Sequence, residues 1–176
     1  MSARGKAGRL AAGLASLVLL AGCAPGASPT PATVGPVTVV TGTSRCPLGT
    51  DFVFTTDPDG TKHVRDDYHA DRCTVTTDDP RVSGHRTSTW NIDLWGNVNA
   101  GRWKLVQWGT VRLENAGGAW EGRAAGVASY PERGDIFVNW YKGTGGYEGL
   151  GYFELWTGFE PWKIQGQIFP GDPPSP

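Results

Sequence analysis

The sequence predicts an all-β domain, a small antiparallel barrel of six to eight strands. From Thr87 onward, apolar and polar side chains alternate every second residue, which is typical of half-buried strands. Glycine-rich turns separate these runs at regular spacing, and a helical pattern is almost absent after Cys23. A closed sheet is favoured over an open one because closure removes exposed edges, and glycines within strands permit sharp coiling.

Six runs carry this pattern. The predicted strands cover residues 88–94, 103–113, 120–128, 136–140, 147–156 and 162–168, with turns at 96–97, 115–118, 131–134, 143–146 and 158–161. In a strand, alternate side chains face the same side. We therefore expect three rows to face inward: Trp90, Ile92 and Leu94; Trp103, Leu105 and Gln107; and Trp162, Ile164 and Ile168.

The first residues form a secretory signal. Arg4, Lys6 and Arg9 precede an apolar run at 10–21 that is too short to span a membrane, which needs about 20 apolar residues. The run ends in Leu-Ala-Gly-Cys at 20–23, which resembles the lipobox of bacterial lipoproteins. That resemblance implies cleavage before Cys23 and acylation, including palmitate, of this residue. An ordinary secretory signal with a chance cysteine is the alternative.

The predicted organisation follows from this processing. Residues 1–22 are the signal peptide, 23–44 a Pro/Thr/Gly-rich tether, 45–170 the barrel domain and 171–176 a disordered tail. Residues 37–41 are β-branched and could instead form a first strand. We expect an extracytoplasmic domain on the cell membrane. In a two-membrane envelope the resemblance to lipoproteins implies the outer membrane, because Ala24 is not an acidic retention signal.

The net charge and the cysteines further narrow the class of protein. Without the signal, 13 basic and 17 acidic residues remain, a formal net charge of −4 that argues against a nucleic-acid partner. Cys46 and Cys73 are the cysteines left after Cys23, and outside the cytoplasm such a pair predicts a disulfide. Two free buried thiols are the alternative.

Three segments resemble a known class of proteins. They are Asp-Pro-Arg-Val-Ser-Gly at 79–84, Gly-Ala-Trp-Glu-Gly at 118–122 with Gly126, and Gly-Thr-Gly-Gly-Tyr-Glu-Gly-Leu at 143–150. Together they resemble bacterial proteins with an allene-oxide-cyclase-like barrel, an architecture that plant dirigent proteins share. The resemblance, which covers roughly residues 73–170, implies a calycin-like or allene-oxide-cyclase-like barrel. It transfers no catalytic residue to this chain.

Two polar segments are predicted to be structural. Residues 51–71 are rich in aspartate and histidine, but 57–60 is ordinary turn chemistry and the spacing of a Ca²⁺ loop is missing. A solvated acidic loop is therefore predicted, with no metal and no cofactor, and a divalent-ion site is the alternative. Asp79 and Arg81 bracket a proline, which predicts a turn in which Asp79 accepts backbone hydrogen bonds and Arg81 ties down a neighbour.

Candidate ligand-binding residues are isolated polar side chains within apolar strands. We predict that Gln107, Asn139, Tyr152 and Glu154 form one polar cluster inside the barrel, because buried polar groups need partners. Burial would raise the pKa of Glu154 and make it a candidate general acid. The alternative is that the pleat divides these residues between the two faces and leaves Glu154 in solvent or paired with a surface cation, Arg112 or Lys142.

Tryptophan is the other unexplained feature. All eight tryptophans lie between Trp90 and Trp162. Those on the inward rows are expected in the core, because each buries a large area. Trp95 and Trp108 fall on the opposite rows, so they are predicted to face outward as platforms for sugars or other flat ligands.

Three function classes follow. The first is a membrane-anchored lipoprotein that binds a small apolar or aromatic ligand in or on the barrel. The second is an isomerase or cyclase of the allene-oxide-cyclase type. The third is a structural or partner-binding envelope lipoprotein with a filled barrel, since small barrels either fill with side chains or hold one small ligand. Binding is favoured over catalysis because no established catalytic motif occurs.

Overall fold

A computed structural model describes residues 35–47, 53–131 and 134–173, except for the side chains of 66–72. These residues belong to one compact unit, Thr33–Pro176. The unit is all-β. Within the described ranges its strands are β1 Thr38–Arg45, β2 Thr55–Thr56, β3 Lys62–Thr77, β4 Gly84–Asn97, β5 Arg102–Asn115, β6 Gly118–Tyr130, β7 Asp135–Gly145, β8 Leu150–Gly158 and β9 Trp162–Pro170.

The strands form a single antiparallel sheet that closes on itself. From β3 to β9 each strand pairs with the next along the chain, β9 pairs with β1, and β1 pairs with β3. Eight strands thus complete a ring, and the two-residue β2 adds to β3 outside it. The prediction of an all-β antiparallel sheet is confirmed.

All six predicted strands are present, but the sequence pattern missed a large part of the sheet. The expectation of a solvated acidic loop is wrong from Lys62 onward, because β3 covers 16 residues there. Polar side chains can occupy a strand when both neighbours supply ladder hydrogen bonds, and β3 pairs with β4 along most of its length. β1 begins at Thr38, so the alternative of a first strand around residues 37–41 is correct.

Little of the described chain is helical. Its helical part is one 3₁₀ turn, Pro80–Val82, between β3 and β4. Within the described ranges, no helix is long and apolar enough to cross a bilayer. The predicted signal at 1–22 and Cys23 lie outside the described residues, as do 174–176 of the predicted tail.

A disulfide joins the two strands that close the ring. Cys46 follows β1 directly, Cys73 lies in β3, and their sulfur atoms are bonded. The neighbouring pair Arg45 and Thr74 belongs to the β1–β3 ladder. The predicted bridge is therefore confirmed, and it crosslinks β1 to β3 at the pairing that closes the ring.

Large aromatic side chains in the interior pack against a wall of small residues on β6. β6 presents Gly122, Ala124 and Gly126 to the inside, opposite β7. A Cβ at Gly126 would lie 2.0 Å from the Phe137 ring, so the missing side chain makes room for that ring. Trp120, Tyr141, Tyr152 and Trp156 are almost completely buried beside this wall. Buried aromatic side chains therefore pack against the small residues of β6.

One end of the ring, here termed the capped end, is tied together across its turns. The side-chain amide of Asn115 donates to the carbonyl oxygens of Pro80, Arg81 and Ser83 at 2.8–3.2 Å. The indole N–H of Trp120 donates to the Arg81 carbonyl at 2.7 Å. The 3₁₀ turn therefore lies across this end of the ring and is fastened to β5 and β6.

The turn between β3 and β4 behaves as predicted. The carboxylate of Asp79 accepts from the backbone N–H of Arg81 at 2.9 Å and also binds the Arg81 guanidinium. Arg81 donates in turn to the Thr38 hydroxyl at 3.2 Å. Asp79 and Arg81 are therefore structural residues, and their contact with Thr38 fastens the start of β1 to the capped end.

Candidate ligand site inside the ring

A group of polar side chains lies in the interior, and we term it the interior cluster. Its centre is Glu154 on β8, whose side chain is fully buried. One carboxylate oxygen accepts from the Tyr141 hydroxyl at 2.8 Å and the other from the Tyr152 hydroxyl at 2.9 Å. The two tyrosines lie opposite each other on β7 and β8 with their rings stacked 5.6 Å apart. Glu154 is thus held from both sides.

Arg86 supplies the positive charge of the cluster. It projects inward from β4, is 2% exposed, and donates to the Tyr141 hydroxyl at 3.3 Å and to the Asn139 side-chain oxygen at 3.1 Å. Its guanidinium lies 4.4 Å from the centroid of the Trp156 ring and 5.6 Å from that of Trp90. Cation–π contacts of this kind gain strength when the cation is desolvated. Arg86 therefore links four inward-facing side chains.

Burial controls the electrostatics of this group. Desolvation raises the pKa of Glu154, while Arg86 and the hydrogen-bond donors around the carboxyl oppose that shift. Desolvation, reinforced by the negative charge of Glu154, also raises the pKa of Tyr141 and of Tyr152. The two hydroxyls therefore keep their protons and act as donors toward Glu154.

Two buried polar atoms around this cluster, the Ser88 hydroxyl oxygen and the Asn139 side-chain nitrogen, have no hydrogen-bond partner within the described part of the chain. The Trp156 indole nitrogen also lacks a hydrogen bond of normal geometry, but it acts as a donor toward the Glu154 carboxyl and lowers the pKa of that group. Ser88 follows Arg86 on the inward face of β4, and Asn139 faces Glu154 across the β7–β8 ladder. An unpaired buried polar group costs about 1–3 kcal/mol, so these atoms together provide an unused binding capacity, mainly for an acceptor.

The predicted cluster residues all lie inside the ring. Asn139, Tyr152 and Glu154 are fully buried, and Gln107 is 8% exposed. Gln107 lies opposite Gly126 on β6, and Gly126 lies opposite Phe137 on β7, two residues before Asn139. Gln107 is therefore one layer of inward-facing side chains away from Asn139 and Glu154. The alternative that the pleat divides these residues between the two faces is therefore wrong.

The expected surface partners of Glu154 are occupied elsewhere. Arg112 pairs with Glu114 and Glu121, and Lys142 pairs with Asp172 at 2.9 Å. Each of these pairs lies on the outer surface, because the pleat directs Arg112 and Lys142 away from the interior. Glu154 is instead stabilised by the buried tyrosines.

Arg86 was missed by sequence reasoning, although a signal for it exists. The inward row of β4 was followed only from Ser88, and one further step of two residues toward the N-terminus reaches Arg86. A charged residue on an otherwise apolar inward row is rarely buried without partners. That expectation would have connected Arg86 to the other polar residues of the interior.

The two tryptophans predicted to face outward do so. Trp95 is 43% exposed near the end of β4, and Trp108 is 40% exposed in the middle of β5. Trp108 is covered on one side by the Arg65 guanidinium, 5.1 Å from its ring centroid. Trp95 lines a groove of about 430 Å³ with Trp103 and Tyr130. The structure therefore places these two tryptophans in different surroundings, both apart from the interior cluster.

A second charged group lies on the outer surface. His63 contacts Asp93 at 2.6 Å and Asp57 at 3.1 Å, and Arg65 also pairs with Asp93. Hydrogen bonds to Asp93 and Asp57 raise the pKa of His63. Within the described residues, no group of three or more histidine, cysteine, aspartate or glutamate side chains is arranged to hold a metal ion. Of the acidic segment, 51 and the side chains of 66, 67, 69 and 71 lie outside the described residues.

Comparison of the chain with protein-family models, with curated proteins and with solved structures gave no match. The resemblance to allene-oxide-cyclase-like proteins therefore rests on its three motif segments. The function has to be argued from the geometry of the site itself.

Proposed function

We propose that this protein is a lipid-anchored envelope protein whose domain binds a small apolar or aromatic ligand inside a barrel. The observation that carries the binding proposal is that two buried polar atoms, the Ser88 hydroxyl oxygen and the Asn139 side-chain nitrogen, have no partner among the described residues. The Asn139 nitrogen can only donate, and the Ser88 hydroxyl can donate or accept. The ligand class that fits is therefore a flat, mostly apolar molecule with a carbonyl or other oxygen acceptor.

Several features support a ligand rather than a fully satisfied core. Arg86 and Glu154 are held in a fixed geometry by Tyr141 and Asn139, so the site needs little ordering when a ligand enters. The rings of Trp90 and Trp156 flank the same region, next to Arg86, and give it apolar walls. A polar centre with apolar aromatic walls is the usual composition of a small-molecule site.

The lipid anchor is the second part of the proposal. It rests on the basic residues, apolar run and terminal Leu-Ala-Gly-Cys at 20–23 of the sequence. Two or three acyl chains on Cys23 would hold the protein on a membrane, because each buried CH₂ contributes about 0.8 kcal/mol. Labelled palmitate should enter the protein in its host and should fail to enter a Cys23→Ser variant. Unchanged labelling of that variant would disprove the anchor.

Native mass spectrometry of the protein purified from its own host tests the ligand site. We expect a mass in excess of the processed chain, released on denaturation, and retained in part by a Ser88→Ala variant. Loss of one hydrogen bond should weaken binding about fivefold to tenfold, since such a bond contributes about 1 kcal/mol. Ser129→Ala is the matched control, because Ser129 lies on the outward face of β6.

A filled interior predicts a different outcome. The stacked Tyr141 and Tyr152 rings and the Trp120 ring 5.6 Å from Tyr152 favour this second candidate, a structural or partner-binding lipoprotein. In that case no small molecule is retained. Ser88→Ala should then only stabilise the fold by about 1 kcal/mol, because it removes an unpaired buried hydroxyl.

An isomerase or cyclase is the third candidate, favoured by the raised pKa of Glu154. Both carboxylate oxygens already accept from tyrosine hydroxyls, which is the arrangement of a structural carboxylate. Turnover of a retained molecule that is abolished by Glu154→Gln, with the molecule still bound, would establish this candidate.

A further inference from the structure

Exposed apolar side chains gather at the end of the ring opposite the capped end. Trp95 at the end of β4, Val98 in the β4–β5 turn, Tyr130 at the end of β6 and Phe159 in the β8–β9 turn are each 43–53% exposed. We term these four residues the apolar rim. In an antiparallel ring these strand ends and turns all lie at one end, because alternate turns share an end.

The rim is continuous on the side of Trp95. A Cβ at Gly101 in the β4–β5 turn would lie 3.0 Å from the Tyr130 ring, and Trp103 stacks against Tyr130 with ring centroids 6.3 Å apart. The groove of about 430 Å³ between Trp95 and Tyr130 also contains Arg102 and Lys104. Apolar rings and two cationic side chains thus border the same groove.

The charges near this groove are unbalanced. Arg102 and Lys104 are both exposed, and neither forms an ion pair within the part of the chain that the structure describes. Asp57 and Asp59, in the β2–β3 turn, bind His63 and the backbone of Thr61. Glu160 is exposed beside Phe159. An anionic surface would therefore meet the rim on the side of Trp95 and Tyr130 rather than on the side of Phe159.

We propose that the apolar rim rests on a lipid bilayer with anionic headgroups, with Trp95 and Tyr130 at the headgroup level and Arg102 and Lys104 facing lipid phosphates. This inference rests on the proposed lipid anchor, which keeps the domain beside the membrane. Tryptophan and tyrosine concentrate at membrane–water interfaces because their rings are amphipathic. Lysine and arginine at such a surface each contribute about 1 kcal/mol toward anionic lipids.

A second copy of the chain fits the rim less well. A two-fold contact would place each rim against itself, so Arg102 and Lys104 would face their own counterparts. Like charges brought together at an interface weaken it. The apolar residues also lie on separate turns and strand ends rather than on one flat wall, and such an arrangement suits a deformable lipid surface.

The length of the chain allows this orientation. β1 starts at the capped end, where Thr38 binds Arg81. The chain between Cys23 and Thr38 must therefore span the full height of the ring if the rim is to contact the membrane. Thr38 lies 15 positions after Cys23, a length of chain that can span at most about 50 Å. β4 and β5, which carry the rim on the side of Trp95, each have 14 residues and are about 46 Å long, and strands of a closed sheet tilt by about 40°. The ring is therefore about 35 Å tall, which the tether can pass.

Tryptophan quenching tests the orientation. The full chain is purified in processed form from its host and reconstituted into liposomes of phosphatidylglycerol with brominated acyl chains. We expect quenching of tryptophan emission, and we expect Trp95→Phe to remove at least half of it. Trp108→Phe is the matched control because Trp108 has almost the same exposure but lies in the middle of the wall, and it should leave the quenching unchanged.

Other results overturn the proposal. Equal loss of quenching in both variants, or no quenching of vesicle-bound protein, excludes a membrane-facing rim. Unquenched protein that forms a Trp95-dependent dimer assigns the rim to a second copy instead. If liposomes of brominated phosphatidylcholine, which have no net charge, quench the emission as strongly as those of phosphatidylglycerol, then the role proposed for Arg102 and Lys104 at an anionic surface is wrong.

Failure of the anchor is distinguishable from failure of the rim. Palmitate labelling and flotation report the anchor, whereas Trp95 quenching reports the rim. Labelled protein that floats without quenching retains the anchor and rejects the rim. Unlabelled protein that still binds vesicles with Trp95 quenched rejects the anchor and retains the rim, and protein that does neither rejects both.

Discussion

The turns at the capped end bind one another, whereas the hydrogen bonds described for the β4–β5 turn at the rim remain within that turn. At the capped end, Gly146 donates to the Gly117 carbonyl at 3.0 Å and thus joins two different turns. In the β4–β5 turn, Gly101 donates to the Val98 carbonyl at 3.0 Å, and Ala100 donates to the Asn97 side chain. Turns that satisfy each other form a closed structural unit, while a locally satisfied turn leaves its apolar side chains available for contact.

The three motif segments that resemble allene-oxide-cyclase-like proteins meet at the capped end. The Tyr147 ring from the third segment stacks on Trp120 from the second, with centroids 5.0 Å apart. Trp120 donates to the carbonyl of Arg81 from the first. In this chain, residues of the three segments therefore tie the capped end of the ring together.

The largest expected difference between the two ends concerns their tryptophans. Trp120→Ala should lower the free energy of unfolding by about 3–5 kcal/mol, because the side chain is fully buried and hydrogen-bonded. Trp95→Ala should lower it by less than about 1 kcal/mol, because Trp95 is largely exposed. Chemical denaturation of both variants measures this difference. Similar losses would show that the rim is as important for folding as the capped end.

Two asparagines provide a smaller comparison. Asn115→Ala should cost about 2–3 kcal/mol, because its side chain donates to three carbonyl oxygens of the 3₁₀ turn segment and accepts from the Tyr147 hydroxyl at 2.6 Å. Asn97→Ala should cost about 0.5–1 kcal/mol, because that side chain accepts from Ala100 in its own turn. The shift in the midpoint of chemical denaturation measures both costs, provided that the dependence of the unfolding free energy on denaturant concentration is unchanged. A cost for Asn97→Ala equal to that for Asn115→Ala would contradict the distinction between the ends.

Buried acids give the smallest of the three comparisons. Burial raises the pKa of Glu154 above its ordinary 4.5 and that of Asp135, near the rim, above 3.8. Each acid therefore binds its proton more tightly in the folded protein than in the unfolded chain. The stability that each neutral acid contributes to the fold is fully present below its pKa in the unfolded chain. This stability is lost as the pH rises through the pKa of the same acid in the folded protein.

The corresponding amides cannot ionise, so they should keep that stability. The unfolding free energy of Glu154→Gln relative to the natural chain should increase between pH 4 and pH 8. Asp135→Asn should show the same sign with a smaller change, because Asp135 is only partly buried. Denaturation at several pH values measures both curves. A relative stability of Glu154→Gln that falls with rising pH would mean that the carboxylate is the form the interior stabilises.

The sequence by itself determined six strands of the sheet and the face of those strands that lies inward. The two-residue period depends only on backbone geometry, so Ile92, Leu94 and Ile164 were placed inward correctly from their neighbours alone. The same period placed Trp95 and Trp108 outward, and the even pair Cys46 and Cys73 predicted the bridge that the structure contains. Local alternation and covalent chemistry require no knowledge of distant strands.

Tertiary structure decided which strand pairs exist and which polar groups meet. The polar β3 is a strand because β4 and β1 supply its ladder partners, and no alternation of its own predicts it. Arg86, Tyr141 and Glu154 come from three strands separated by up to 68 positions, and only closure of the ring brings them within hydrogen-bond reach. A buried charge is stable when partners surround it, and the fold, which determines the register between strands, provides those partners.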